Sequence, residues 1–184
     1  MAAKSALSQG GKLNGILVLF TALAITFIVL PLGNVIYAVL LVCAASWLAA
    51  ELKFDASGKN MRNALLIGVF LMAFDFAVEN LGGFLGYWRT YESVLPIYFV
   101  PLEIMVVCVL GGMAWALYLP KKFSAVYSAF DILLFSFFGA AGESLIIHSG
   151  LMHYSGGWTS VHAFFGYAVT WILLHFIRYR VLEV

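Results

Sequence analysis

Long apolar runs, interrupted at charged residues, prolines and glycines, make up most of this chain. Each run is long enough to cross a bilayer core, which takes about 20 helical residues. The runs predict six helices, near residues 14–31, 34–51, 63–86, 97–119, 124–147 and 159–177. The predicted fold class is therefore an all-α integral membrane protein, a six-helix transmembrane bundle that forms one domain over residues 1–184.

The composition excludes most other classes of protein. Hydrophobic residues make up 64% of the chain and charged residues 10%, with a mean hydropathy of +1.00. Soluble domains are about half apolar and a quarter charged, so an ordinary soluble globule, a disordered tail and a disulfide scaffold are excluded. The net charge of +1 gives no reason to expect nucleic acid as a partner. The sequence predicts a multi-pass protein of the cell membrane.

The basic residues predict an orientation. The first run resembles a signal peptide, but it lacks a small-residue cleavage site and continues into the next run, so it is predicted to be a retained helix. Only Arg89 then lies on one side of the membrane, and the positive-inside rule places both termini in the cytoplasm. The other nine of the ten Lys and Arg lie on the opposite side: Lys4, Lys12, Lys53, Lys59, Arg62, Lys121, Lys122, Arg178 and Arg180.

Acidic residues inside the predicted helices are the first functional candidates, because a charge in a membrane span is costly. They are Asp75, Glu79, Glu103, Asp131 and Glu143. Counted at about 1.5 Å per residue, three of these acids and one histidine lie roughly 24 to 31 Å from the basic residues that flank their helices. We therefore expect one polar layer near the outer edge of the membrane core, formed by Glu79, Glu103, Glu143 and His162.

Two further ionisable residues do not belong to that layer. Asp131 is predicted near mid-membrane, with no partner at its depth, where hydrogen bonding between helices is the expected role. His175 is expected at the membrane interface. Arg178 and Arg180 are expected to anchor the topology near anionic lipid.

A weak internal repeat relates residues 74–91 to residues 138–154 at an offset of 64. The matched positions include Glu79 with Glu143 and Gly86 with Gly150. In a chain so rich in Phe, Ala, Leu and Gly, duplication and chance are both open. A duplication would place Glu79 and Glu143 around a shared cavity, as repeat-built membrane folds often do.

The stretch from Asp75 to Glu103 carries the most informative motifs. A helix that contains Asp75 and Glu79 is predicted to end at a Gly86-x-Trp88 turn, and Pro101-Leu102-Glu103 is predicted to open the next helix. Glu79 and Glu103 would lie in unlike surroundings. One site with two such carboxyl groups can hold both a proton donor and a base.

The order of Asp75, Gly86-x-Trp88 and Pro101-Leu102-Glu103 resembles the lycopene cyclase domain of the small integral-membrane carotenoid cyclases, and it is similar to the related carotenoid hydratases. The resemblance covers about residues 63–119. It implies a helical membrane enzyme that protonates an isoprenoid double bond without a redox step. It points to Asp75, Trp88, Pro101 and Glu103.

The chain departs from that pattern at two points. Ile104 follows the Pro-Leu-Glu motif where the cyclases carry a second acid, and the later helices contain no second Pro-Leu-Glu. The segment Phe76-Ala77-Val78-Glu79 resembles the acid motif of membrane terpene cyclases in meroterpenoid pathways. The predicted function is therefore an isoprenoid- or terpenoid-modifying cyclase or hydratase that generates a carbocation by protonation from a carboxylic acid.

The candidate site combines acids with aromatic residues, because a carbocation is stabilised by aromatic faces. No cofactor and no metal are predicted. The alternative interpretations are structural hydrogen bonding for the acids and an interfacial belt for the aromatic residues. The predicted catalytic residues are Glu79, Glu103, Asp75 and Glu143, and the predicted substrate-binding residues are Asn80, Trp88, Tyr91, Tyr154, Trp158 and His162.

Two other functions are compatible with the sequence. A small-solute or proton transporter would also carry intramembrane acids. A non-catalytic lipid-binding membrane subunit would pair its acids structurally. The expected partners are a lipid-soluble isoprenoid substrate and membrane lipid, with no nucleic acid, and a homo-oligomer is compatible with the sequence.

Overall fold

A computed structural model describes residues 35–54, 58–91 and 95–182, and this part of the chain is mostly helical. The helices are α1 (Val35–Phe54), α2 (Gly58–Leu85), α3 (Leu102–Tyr118), α4 (Ala125–His148) and α5 (Ser160–Phe176), and α5 continues into a π-helical turn at Ile177–Val181. The strands are β1 (Trp88–Thr90), β2 (Pro96–Ile97), β3 (Val100–Pro101) and β4 (Met152–Tyr154).

The predicted helical character is confirmed, and four of these helical segments are long and apolar enough to cross a membrane. They are Val35–Lys53, Asn60–Leu85, Ala125–His148 and Ser160–Val181. The apolar helix α3 is shorter, with 17 residues. The predicted helix near residues 14–31 lies outside the described residues, so the described part of the chain contains five α-helices.

The helix predicted over residues 97–119 begins later than expected. Residues 96–101 form an antiparallel hairpin of β2 and β3, in which Pro96 pairs with Pro101 and Ile97 pairs with Val100. Proline disfavours helical geometry in the residue before it, so a helix cannot readily include Val100 and continue through Pro101. Pro101 is therefore the N-cap residue, and α3 starts at Leu102.

The helices form two groups. α3 packs against both α1 and α2, and α4 packs against α5. The groups meet at one end of the bundle through a ribbon of β1 and β4, which we call the strand end. At the opposite end they meet through an aromatic core, where Trp115 of α3 contacts Trp171 of α5 and Trp47 of α1 stacks on Phe135 of α4.

The predicted repeat is present as a repeat of structure. α2 and α4 both end in a glycine with positive φ, Gly86 at 74° and Gly150 at 77°. After α2, the N–H groups of Gly86 and the next residue donate to the carbonyls of Gly83 and Gly82. After α4, the N–H groups of Gly150 and the next residue donate to the matching carbonyls, those of Ile147 and Ile146. This is the Schellman geometry, which favours glycine because the left-handed conformation crowds a Cβ atom.

The pairing of β1 with β4 follows the same offset of 64 residues as the repeat. Arg89 pairs with His153, and these two residues are themselves 64 positions apart. Around this pair, Tyr91 N–H donates to the Leu151 carbonyl and Ser155 N–H donates to the Tyr87 carbonyl, at 2.8 and 2.7 Å. The hydrogen bonds around the Arg89–His153 pair are therefore symmetric between the two strands. The two repeat units share an order of elements, namely a long helix, a strand and a 17-residue helix, and the first unit also contains the hairpin of β2 and β3.

Candidate functional site

Glu79 of α2 accepts a hydrogen bond from a side chain that follows the same helix. The turn at Gly86 reverses the chain, so that Trp88 of β1 folds back and its Nε1 donates to Glu79 Oε2 at 2.7 Å. Gly82 makes space for this indole, since a Cβ atom there would lie 2.0 Å from the Trp88 ring. The Trp88 ring, rather than the backbone of a neighbouring helix, occupies the space beside Gly82.

Glu143 of α4 has a matching arrangement. The hydroxyl of Tyr154, in the strand after α4, donates to Glu143 Oε2. Tyr167 of α5 also hydrogen-bonds this carboxyl group, and its ring lies against Gly139, where a Cβ atom would be 2.6 Å from it. Burial, followed by the charge of Glu143, raises the pKa of Tyr154. Tyr154 therefore keeps its proton and acts as a donor.

Asp75 lies one helical turn from Glu79 and joins the two glutamates in one cluster. Its carboxyl group is within hydrogen-bonding reach of the Cys108 thiol of α3, while its Oδ2 atom is buried and has no hydrogen-bond partner among the described residues. Asp75 and Glu143 both act electrostatically on Glu79. The cluster of Asp75, Glu79 and Glu143, which we call the acid cluster, thus lies between the two helix groups.

The structure changes the membership of the expected polar layer. Glu103 is half-buried in the first turn of α3. His162 is exposed and hydrogen-bonds the Thr159 hydroxyl at 2.8 Å. The structure therefore places Asp75 with Glu79 and Glu143, and it leaves His162 exposed.

Two predicted substrate-binding residues support the strand end through hydrogen bonds. Asn80 donates to the Phe76 carbonyl at 2.6 Å and accepts from Phe99 N–H at 3.3 Å, which ties the β2–β3 turn to α2. The Tyr91 backbone carbonyl accepts a hydrogen bond from the Tyr37 hydroxyl at 3.1 Å, and the Tyr91 side chain is exposed.

The other predicted aromatic residues pack together next to the acid cluster. The ring of Trp158 lies 4.7 Å from that of Trp88 and 5.5 Å from that of Tyr87, centroid to centroid. Trp88 pairs with Tyr154 across the ribbon. The donors to Glu79 and Glu143 are thus neighbours, and Trp158 extends the aromatic surface over them.

A lateral groove of about 410 Å³ runs between α4 and α5. Its walls are largely apolar, with Phe137, Phe164 and Phe165 among the lining residues. Two hydroxyl groups in the lining, those of Ser144 and Ser160, are hydrogen-bonded at 2.8 Å. Ser160 also hydrogen-bonds Tyr154, so a chain of hydroxyl groups connects the groove with Glu143.

The expected role of Asp131 in hydrogen bonding between helices is confirmed, but the expectation that it has no partner at its depth is wrong. Asp131 Oδ2 lies 2.9 Å from His175 Nε2 and accepts from Trp115 Nε1 at 2.9 Å. His175 is buried rather than interfacial, and His175 Nδ1 is buried with no hydrogen-bond partner among the described residues. Asp131 lies near the start of α4 and His175 near the end of α5. If consecutive helices pack antiparallel, these two positions lie at the same level, so the sequence could have predicted the pair.

Arg178 also differs from its predicted role as an exposed anchor. It is only 2% exposed, and its Nε donates to the Ala116 carbonyl at 3.2 Å. Next to it, the Tyr179 hydroxyl donates to the Pro120 carbonyl at 2.8 Å. The π-helical turn is thus bonded to the end of α3.

No group of three or more His, Cys, Asp or Glu residues in the described ranges is arranged to hold a metal ion. No protein-family model, no curated protein and no solved structure matches the chain. The family resemblance drawn from Asp75, Trp88, Pro101 and Glu103 therefore stays a prediction.

Proposed function

We propose that this chain is an integral-membrane enzyme that modifies an isoprenoid or terpenoid, as a non-redox cyclase or hydratase. The observation that carries the proposal is the acid cluster itself. Asp75, Glu79 and Glu143 come from two helices near the strand end, and Glu143 acts electrostatically on both Asp75 and Glu79. Ionising all three carboxyl groups together would add repulsion between like charges, which favours a cluster that holds a proton.

The reaction begins with proton transfer to a double bond. The proton moves from a carboxyl oxygen to one alkene carbon, the π electrons form the new C–H bond, and the other carbon becomes a cation. In a cyclase, a second double bond attacks the cation and a carboxylate then removes a proton. In a hydratase, a water oxygen attacks and loses a proton to a carboxylate.

Glu79 and Glu143 are the proposed donor and base, because each has one partner that donates a hydrogen bond from the ribbon. Asp75 is the third member, with a buried unpartnered oxygen. Aromatic faces stabilise a cation where water would quench it. Trp88 and Trp158 supply such faces beside Glu79 in this proposal.

The groove between α4 and α5 is the proposed entry for the substrate. Phe137 and Phe165, which line it, are both more than half exposed on helices of membrane length. A hydrocarbon chain could therefore pass from the lipid layer into the groove without crossing water. The hydroxyl groups of Ser144 and Ser160 lead from there toward Tyr154 and Glu143.

One observation favours a proton transporter as the second candidate function. The buried pair of Asp131 and His175 adds ionisable groups toward the end of the bundle opposite the strand end. The apolar and aromatic core that includes Ile67, Trp115 and Leu174 counts against a continuous path, because all three side chains are fully buried.

The proposed enzyme activity is tested with purified protein in lipid nanodiscs, supplied with a panel of acyclic polyprenyl hydrocarbons and alcohols in D₂O. A product that carries one deuterium on carbon is expected, detected by mass spectrometry. Glu79→Gln and Glu143→Gln should abolish its formation. Glu51→Gln, a buried acid of α1, is the control.

Retained turnover in both variants would refute the proposal. So would the absence of any product from the panel combined with proton uptake by the same protein in vesicles, which would favour the transporter. Because Gln keeps an acceptor oxygen for Trp88 or Tyr154, both variants should remain folded. Size-exclusion chromatography in detergent checks this.

We also propose six spans, with a first span near residues 14–31 and both termini in the cytoplasm. The described basic residues support this, since Arg89 is separated from Lys53, Lys121 and Arg180 by the length of the helices. Single cysteines at Ser5 and Val181, in a variant lacking Cys43 and Cys108, should both resist a membrane-impermeant thiol reagent in intact cells. Labelling of either one would contradict the orientation.

A further inference from the structure

The ribbon of β1 and β4 has two chemically different faces. Trp88 and Tyr154 form its inner face and bind the acid cluster. Arg89 and His153 alternate with them along the strands, and both are exposed. The outer face therefore carries two basic side chains, whereas the inner face carries the two side chains that donate hydrogen bonds to the glutamates.

Arg89 and His153 are direct cross-strand partners. Such partners have Cβ atoms about 5 Å apart. Neither side chain forms a hydrogen bond or ion pair with another described residue. An anion bound between them could accept hydrogen bonds from both side chains and would be attracted by the charge of Arg89.

A cavity of about 210 Å³ lies directly beside Arg89. Thr90, Tyr91 and Tyr98 are among its lining residues. The Thr90 hydroxyl donates to the Phe99 carbonyl at 2.7 Å, which fixes the β2–β3 turn against β1. Since a water molecule in the liquid takes up about 30 Å³, this space can hold a phosphate group together with several waters.

Tyr98 at the rim of this cavity adopts φ of 57°, a left-handed conformation that is uncommon for a residue other than glycine. Its side chain is 78% exposed, so burial of the ring does not compensate for this conformation. Tyr98 therefore has a strained backbone conformation at the rim of the cavity.

We propose that Arg89 and its cross-strand partner His153, with the cavity beside Arg89, bind a phosphate ester anion. A guanidinium group forms paired, charge-assisted hydrogen bonds with phosphate oxygens. The site follows the ends of two membrane-length helices, since Arg89 lies four residues after Leu85 and His153 lies five residues after His148. That position is the level of lipid head groups, so an anionic phospholipid is the expected source of the phosphate.

This site is independent of the proposed enzyme activity, because it lies on the other face of the ribbon. It adds a binding function to the strand end. A lipid held by Arg89 and His153 would also hold β1 against β4, on whose inner face the donors to Glu79 and Glu143 lie.

The test is native mass spectrometry of the detergent-purified protein, titrated in parallel with dioleoyl phosphatidylglycerol, dioleoyl phosphatidylcholine and inorganic phosphate. The expected result is one additional saturable phosphatidylglycerol, bound at least tenfold more tightly than phosphatidylcholine. Arg89→Gln should weaken it about tenfold or more, and His153→Gln should weaken it less. Both residues are exposed, so both variants should fold. Arg180→Gln, an exposed arginine at the opposite end, is the matched control.

The outcomes separate the sources of the anion. Saturable binding of inorganic phosphate that Arg89→Gln removes would assign the site to free phosphate esters. Binding of phosphatidylglycerol alone would assign it to a lipid head group. Equal binding of all probes by the native protein and by Arg89→Gln would overturn the proposal.

Discussion

Trp88 and Tyr154 face each other across the β1–β4 ribbon, and each donates a hydrogen bond to a glutamate of the helix that precedes its own strand. Glu79 and Glu143 are the corresponding residues of the two repeat units. The two donors are not, because the offset of 64 matches Trp88 with Met152. The units thus share a backbone plan while their acids have different donors, an indole and a phenol.

Gly82→Ala should destabilise the protein by about 1 to 3 kcal/mol, as overpacking in a filled interior does. The added methyl group would overlap the Trp88 ring, which must then leave Glu79. Thermal unfolding in detergent, followed by tryptophan fluorescence, measures the effect. Gly142→Ala is the control, since a Cβ atom there has nothing within 4 Å. It should be neutral or stabilising, and equal losses in both variants would contradict the packing argument.

The hydrogen bond from Trp88 to Glu79 should be measurable as a coupling free energy. Trp88→Phe leaves the carboxyl group without this donor, at a cost of about 1 to 3 kcal/mol. In a Glu79→Leu background, the same substitution should cost less. Trp158→Phe provides the comparison, because this ring packs against Trp88 at a tilt and its replacement should cost the same in both backgrounds. A Trp88→Phe cost that is independent of Glu79 would mean that the indole acts through packing alone.

Breaking the pair of Asp131 and His175 should destabilise the opposite end of the bundle. Asp131→Leu leaves Trp115 Nε1 and His175 Nε2 buried without an acceptor, and the expected loss is about 3 to 5 kcal/mol. The double variant with His175→Leu should lose less than the sum of the single variants, by about 0.5 to 3 kcal/mol. Urea or thermal unfolding in detergent gives the three values, and strict additivity would argue against a direct interaction.

Filling the groove between α4 and α5 should slow entry of an isoprenoid if the proposed function holds. Ala141→Phe adds a ring to the groove lining, and we expect a tenfold or greater rise in KM with little change in kcat. Val126→Phe adds a ring to the same helix at a position that is 83% exposed, and its kinetics should remain those of the native protein. An unchanged KM in Ala141→Phe would remove the groove from the entry route.

The sequence predicted the helical regions because a long apolar run must be removed from water, and such a run can be recognised from the local sequence alone. The end of α2 was also predictable, since Gly86 favours the left-handed conformation that terminates a helix. The start of α3 was misplaced because the apolar run continues through residues 97–101. Pro96 and Pro101, which pair across the β2–β3 hairpin, favour extended backbone in spite of the hydropathy.

Tertiary structure decided which side chains meet. Glu79 and Glu143 were candidates from the sequence, and their contacts with Trp88 and Tyr154 depend on a strand register that no local pattern encodes. His175 was assigned to the membrane interface from its neighbours in the chain, and it is buried against Asp131, 44 residues away. Depth along a helix can be counted from the sequence, because the rise per residue is constant. The direction in which a side chain points depends on which helices pack together, and the three-dimensional structure supplied that.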